Sequence, residues 1–146
     1  MTDTLINIIV SSEPATRDRA LEAAVAGMST QQLLAECEAL DAFRRTSTNL
    51  YQRVRALFFL DAIHRFHLPL KEGVTMRGLI PFEGYNHLLS RRFEEAIDVF
   101  LAEMAAHGPS DAISSALSSA YKELAFATLA NQVRRLLVGV LQHRAG

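Results

Sequence analysis

The feature that most constrains the fold is a helical pattern that runs from residue 110 to about residue 144 and changes its apolar side partway. No proline interrupts this segment, and its only glycine is Gly139. Successive helical residues turn by about 100°, so the side of each residue can be read from its number. The first apolar side comprises Ile113, Leu117, Ala120 and Leu124. A second set, here called the C-terminal stripe, lies on nearly the opposite side: Phe126, Leu129, Val133, Leu136, Leu137 and Val140.

This change of side has a structural consequence. A continuous helix of this length would be about 50 Å long, whereas a compact chain of 146 residues is only about 40 Å across. One small core cannot cover both apolar sides. Either the helix breaks near Ala127, or the C-terminal stripe meets another surface, which would belong to a second copy of the chain or to a larger polypeptide of which this chain is one part.

The rest of the chain also has helical periodicity. Hydrophobic residues make up 49% of the sequence, and there are only 7 Gly and 4 Pro, which is typical of an ordered helical protein. Helices are predicted over residues 11–27, 30–45, 48–67, 86–107 and 110–144, and residues 4–10 are too short to assign to helix or strand. The sequence therefore predicts an all-α, single-domain and mostly antiparallel bundle of five to six helices.

One long loop is predicted at residues 68–85, where three glycines and two prolines occur and no period is sustained. Loops of this length in compact domains are often lids or binding loops. The segment is rich in apolar residues, so it is expected to pack onto the helices; these residues are Leu70, Val74, Met76, Leu79, Ile80, Phe82 and Tyr85.

The helix before this loop contains the only arrangement that suggests catalysis. In "LFFLDAIHRFHL", residues 57–68, Asp61 and His64 lie one turn apart on a helix that is otherwise apolar. A buried acid and histidine are candidates for acid–base catalysis. However, Arg65 stands four residues after Asp61, which favours a structural ion pair. No second acid-x-x-His pair occurs in the sequence, so the pattern predicts neither a metal site nor a cofactor.

Charge and cysteine content limit the classes of partner. The formal net charge is −1, which favours neither nucleic acid nor an anionic membrane. Arginine doublets at Arg44/Arg45, Arg91/Arg92 and Arg134/Arg135 lack a glycine-rich phosphate loop and are interpreted as ordinary ion-pairing residues. The single cysteine, Cys37, lies on an apolar helix face and is predicted to be a small buried hydrophobe. With no signal peptide or membrane span recognised, the expected location is cytoplasmic.

Two functions follow as hypotheses. The first is a non-enzymatic helical protein–protein interaction or self-association module, which uses the C-terminal stripe as its contact surface. The alternative is a small-molecule-binding or catalytic helical domain, or an accessory domain of a larger enzyme. Its pocket would lie under the loop at residues 68–85 and would be lined by Asp61, His64 and Tyr85.

Overall fold

The computed structural model describes residues 4–76 and 78–145, of which residues 144 and 145 are described by their backbone alone. The described residues form eight α-helices and no strand. The helices are α1 (Thr4–Val10), α2 (Pro14–Arg17), α3 (Leu21–Val25), α4 (Thr30–Thr46), α5 (Leu50–Ala62), α6 (Phe82–Leu89), α7 (Phe93–His107) and α8 (Asp111–Ala145). A π-helical turn (Ile63–His67) and a 3₁₀ turn (Leu68–Leu70) extend α5. The all-α class is confirmed.

The number of helices differs from the predicted five to six because two predicted helices are divided. The segment 11–27 forms α2 and α3, with Ala20 extended between them. No residue of α2 is buried, so packing does not require the helix to continue. The segment 86–107 is divided at Arg91, whose φ of 61° is left-handed and ends α6. Leu89 therefore lies before the break and is exposed.

The core is built around α5, which packs against α1, α4 and α8. Leu57, Leu60 and Ile63 are completely or almost completely buried there, as the apolar stretch predicted. Helix α4 begins with a capping box between Ser29 and Gln32 that satisfies two backbone amides. Helix α7 completes the bundle by packing against α8 and α6.

The predicted long loop is shorter than expected and its packing was predicted wrongly. Residues 68–70 form the 3₁₀ turn and α6 begins at Phe82. Most of the apolar residues of this region are exposed: Leu70, Met76, Leu79, Ile80, Phe82 and Tyr85; of the predicted set, only Val74 packs against the core. Polar anchors fix the loop instead, including the amide of Thr75, which donates to the carbonyl of Pro109 over 3.2 Å.

Helix α8 is continuous over its 35 residues, so it does not break near Ala127. Its first turn is capped by Ser110, whose hydroxyl accepts a hydrogen bond of 3.2 Å from the amide of Ile113. On its first apolar side Ile113, Leu117 and Ala120 are buried in the bundle, and Leu124 is partly buried against the core. From Phe126 to His143 no residue is buried.

Candidate functional site

Helices α5 and α8 run antiparallel, and this relation determines where the C-terminal stripe lies relative to the bundle. His64 lies beside Ser114, Asp61 beside Ser118, and Phe58 beside Phe126, so α5 residue numbers fall as α8 residue numbers rise. Helix α5 begins at Leu50, and Leu50 lines the same groove as Leu129 of α8. The residues that follow Leu129 therefore extend beyond the start of α5 by about 24 Å, at 1.5 Å per residue.

We call this extension, residues 130–145, the arm. Its apolar side chains are exposed: Val133 is 56% exposed, Leu136 61%, Leu137 60% and Val140 53%. At the base of the arm, Phe126 makes an edge-to-face contact with Phe58 at a ring distance of 5.6 Å, yet it is still 52% exposed. Val138 and Leu141 add two further exposed apolar side chains on other sides. Contiguous exposed apolar surface of this kind marks an interaction site more often than an ordinary surface.

The spacing within the stripe is that of a coiled-coil seam. Its members Phe126, Leu129, Val133, Leu136 and Val140 are separated alternately by three and four residues, which is the heptad repeat of helices that pack side by side. In that repeat Phe126, Val133 and Val140 occupy position a, and Leu129 and Leu136 occupy position d. Arg134 and Arg135 fall at positions b and c, outside the seam.

Helix α8 also has the length and composition of a membrane span, and it is the one helix in the described residues that does. Such a match for a single helix is weak evidence. The doublet Arg134/Arg135 lies within the exposed apolar part of the helix. Placing one arginine near the centre of a bilayer costs roughly 2.5–3.5 kcal/mol of insertion free energy. The doublet therefore opposes insertion, whereas it is readily accommodated outside a coiled-coil seam.

Asp61 forms the ion pair that its spacing predicted. The guanidinium of Arg65 lies 3.4 Å from Oδ1 of Asp61. The same oxygen accepts a hydrogen bond of 2.5 Å from the hydroxyl of Ser118, which in turn accepts one of 3.2 Å from Nε of Arg65. These three residues join the end of α5 and the following π-helical turn to α8, so Asp61 has a sufficient structural role.

His64 is buried and has few partners. Its ring stacks on Tyr121 at 5.9 Å, and its Nδ1 lies 3.5 Å from the hydroxyl of Ser114. Burial lowers the pKa of His64 to about 4, against an opposing influence of the Asp41 charge. The imidazole is therefore neutral near pH 7, and its low basicity is unfavourable for a general base at that pH. No hydrogen bond or ion pair joins His64 to Asp61 in the described part of the chain.

A polar depression of about 390 Å³ lies beside this pair, between the π-helical turn and the first turns of α8. Its lining residues are His64, Arg65, Pro69, Asp111, Ser115, Ser118 and Ser119. The predicted pocket was to contain Asp61, His64 and Tyr85. Of these three, only His64 contributes to the depression, because Asp61 is engaged with Ser118 and Tyr85 belongs to α6.

A larger polar network, which was not predicted from the sequence, is centred on Asp41. Oδ1 of Asp41 lies 3.0 Å from Nε of Arg44, and Oδ2 lies 2.8 Å from Nε of Arg45. The two arginines also pair with Glu94 and Asp98 of α7, each at 2.8 Å. Both acids lie on an exposed face of α7, with side chains that are 49% and 62% exposed. The signal available in the sequence was the spacing of Asp41 from the doublet, three and four residues.

The remaining candidate groups are explained by packing. The Arg44/Arg45 doublet makes ordinary ion pairs, as predicted. Cys37 is buried against the core, as predicted, and burial raises the pKa of its thiol well above the ordinary value. Within residues 4–76 and 78–145, no three His, Cys, Asp or Glu side chains come together in a way that could hold a metal ion.

Comparison with known proteins supplies no family for this arrangement. No protein-family model matches the chain, and no curated protein or solved structure shows significant similarity to it.

Proposed function

We propose that this protein is a helical self-association module, and that the C-terminal stripe binds a second copy of the same chain. The observation that supports the proposal is the exposure of the whole stripe on a helix that extends beyond its own bundle. Burying one such Val, Leu or Phe side chain fully is worth roughly 1.5–3 kcal/mol. The stripe contains six of these side chains, each between 37% and 61% exposed, so a partner that covers them gains substantial free energy.

The pattern of the stripe favours a second copy over a partner of different chemistry. Alternating three- and four-residue spacing lets two identical seams interlock, because each a or d side chain fits between side chains of the facing helix. From Leu124 to Ala145 the helix carries no acidic residue. Its arginines lie outside the seam, so two copies can approach through the stripe without placing charges between them.

Light scattering across a concentration series tests the proposal. The chain is expected to have twice its monomer mass at about 100 μM, where a complex of micromolar Kd is largely formed. Val133→Asp places a charge in the seam and should return the protein to the monomer mass. Val138→Asp is the matched control, because Val138 is also exposed on the arm but lies outside the seam, and this variant should remain dimeric.

Two results would contradict the proposal. One is a wild-type chain that is monomeric over the whole concentration range. The other is a chain that remains in solution only with detergent, which would instead favour insertion of α8 into a membrane. Circular dichroism of both variants establishes that a change in mass reflects association rather than unfolding.

A further inference from the structure

We infer that the two arms pair antiparallel about a two-fold axis between Arg134 and Arg135, and that each arm ends in a groove at the start of α5 of the other copy. This inference rests on the proposed function. It adds the orientation and the register of the two arms, and it adds the groove at the start of α5 to the contact surface.

The orientation follows from what already lies along the stripe. Phe126 and Leu129 stand on the side of α8 that faces α5 of the same chain. Val133, Leu136 and Val140 continue on that side, past the first residue of α5. A helix that covers them therefore lies roughly in line with α5. In a parallel, in-register pair, residues 126–129 of the partner, with the bundle to which they belong, would have to lie at the level where α5 begins. An antiparallel partner is more easily accommodated, because it approaches from the free end of the arm and brings only its own arm to that level.

The antiparallel orientation also gives the partner's arm a place to end. A groove of about 530 Å³ lies at the base of the arm, and its walls are mostly apolar. The residues that line it are Leu50, Tyr51, Val54, Arg55, Phe58 and Leu129. Tyr51 is 58% exposed there although it belongs to the central helix of the bundle. Because Leu129 is both a wall of the groove and a member of the stripe, one partner helix can cover the two surfaces together.

The register follows from matching a positions with d positions, as antiparallel seams require. When the axis lies between Arg134 and Arg135, Val133 faces Leu136 of the other copy and Leu129 faces Val140, while Phe126 keeps its contact with Phe58 of its own chain. Every member of the seam then has a partner. Leu137, at position e, lies next to the axis and widens the apolar contact, while both arginines remain on the outer side.

Disulfide trapping distinguishes the two orientations. The double variant Leu129→Cys/Val140→Cys is expected to form cross-linked dimers under mild oxidation, since these positions face each other in the antiparallel register. The single variants Leu129→Cys and Val140→Cys are expected not to cross-link, because each new thiol faces a leucine or valine. Cys37 is buried, so the wild-type chain, which should not cross-link, serves as the control.

The outcomes separate this inference from the proposed function. A monomeric wild type would overturn both. A dimeric wild type whose single variants cross-link would show parallel pairing and overturn the inference alone. A dimer in which no variant cross-links would also overturn the inference, since positions 129 and 140 of the two copies would then not be in contact.

The groove is tested separately by Tyr51→Ala. An aromatic side chain that becomes buried in an interface can contribute enough that its loss weakens binding at least about tenfold. The dimer Kd of this variant should therefore rise by that factor or more. Tyr85→Ala is the matched control, because Tyr85 is 45% exposed on α6, away from the groove, and its Kd should be unchanged. Equal Kd values for the two variants would show that the groove is not part of the contact.

Discussion

Tyr121 of α8 donates a hydrogen bond of 2.9 Å to the carboxylate of Asp41 on α4, across 80 positions of the sequence. Both partners lie inside the bundle, and the ring of Tyr121 is completely buried. The same carboxylate receives Arg44 and Arg45. Asp41 therefore links three helices: α4 directly, α8 through Tyr121, and α7 through the two arginines, which bind Glu94 and Asp98.

Tyr121→Phe should destabilise the protein by roughly 1.5–3 kcal/mol, the usual contribution of a hydrogen bond to a charged group. The ring and its packing are retained, so the loss reports the hydroxyl alone. Urea denaturation followed by circular dichroism measures the change in the free energy of unfolding. Tyr85→Phe is the control and should have almost no effect, because that ring is exposed. Equal stability of the two variants would mean that the bond to Asp41 contributes nothing.

Asp41→Asn is expected to cost more stability than Asp61→Asn. The Asp41 carboxylate accepts three charged or buried donors, and its loss leaves the buried Arg44 without its partner on α4. Asp61 pairs with Arg65, whose side chain is 40% exposed, and pairs of this kind contribute little. The hydrogen bond that Asp61 accepts from Ser118 can also be accepted by the amide oxygen of asparagine. Chemical denaturation of both variants at neutral pH gives the comparison. A larger loss for Asp61→Asn would contradict this ranking.

His64 should make the protein less stable as the pH falls below neutrality. In the folded chain its pKa is about 4, while an unfolded chain has the ordinary value of about 6.5. Between these pH values the unfolded state binds more protons, so the free energy of unfolding decreases as the pH is lowered. The decrease between pH 8 and pH 5 should be about 2 kcal/mol.

The matched measurement compares the wild type with His64→Gln over the same pH range. Glutamine does not titrate, so the variant should lose this part of the pH dependence even if it is less stable at every pH. Parallel stability profiles of the two proteins between pH 8 and pH 5 would show that His64 titrates normally in the folded state.

Replacement of two helical glycines by alanine should change the stability of the protein in opposite directions. A Cβ on Gly84 would lie 2.5 Å from the ring of Phe100, so Gly84→Ala should destabilise the protein by roughly 1–3 kcal/mol through overpacking. A Cβ on Gly139 meets nothing within 4 Å, so Gly139→Ala should stabilise α8 by roughly 0.5–1 kcal/mol through helix propensity. Melting temperatures of the two variants should move in opposite directions, and a shift in the same direction would refute the argument for one of them.

Local sequence patterns predicted the helical class and the pairing of Asp61 with Arg65. Each of these depends on residues only a few positions apart. The division of residues 86–107 at Arg91 was not predicted, because an arginine in the left-handed region carries no sequence signal comparable to a glycine. The exposed loop residues were also misjudged, since apolar composition alone does not say whether a segment reaches the core.

The helical class and the change of apolar side in the last helix can both be read from the sequence, because helical periodicity is a property of neighbouring residues. Whether that helix is continuous, and what each of its sides contacts, depends on how the helices pack. The unbroken α8 buries its first side against α5 and α7 and exposes the second. The packing of the helices also brings Tyr121 into hydrogen-bond contact with Asp41. These contacts connect residues 50 or more positions apart, and only the folded chain brings such residues together.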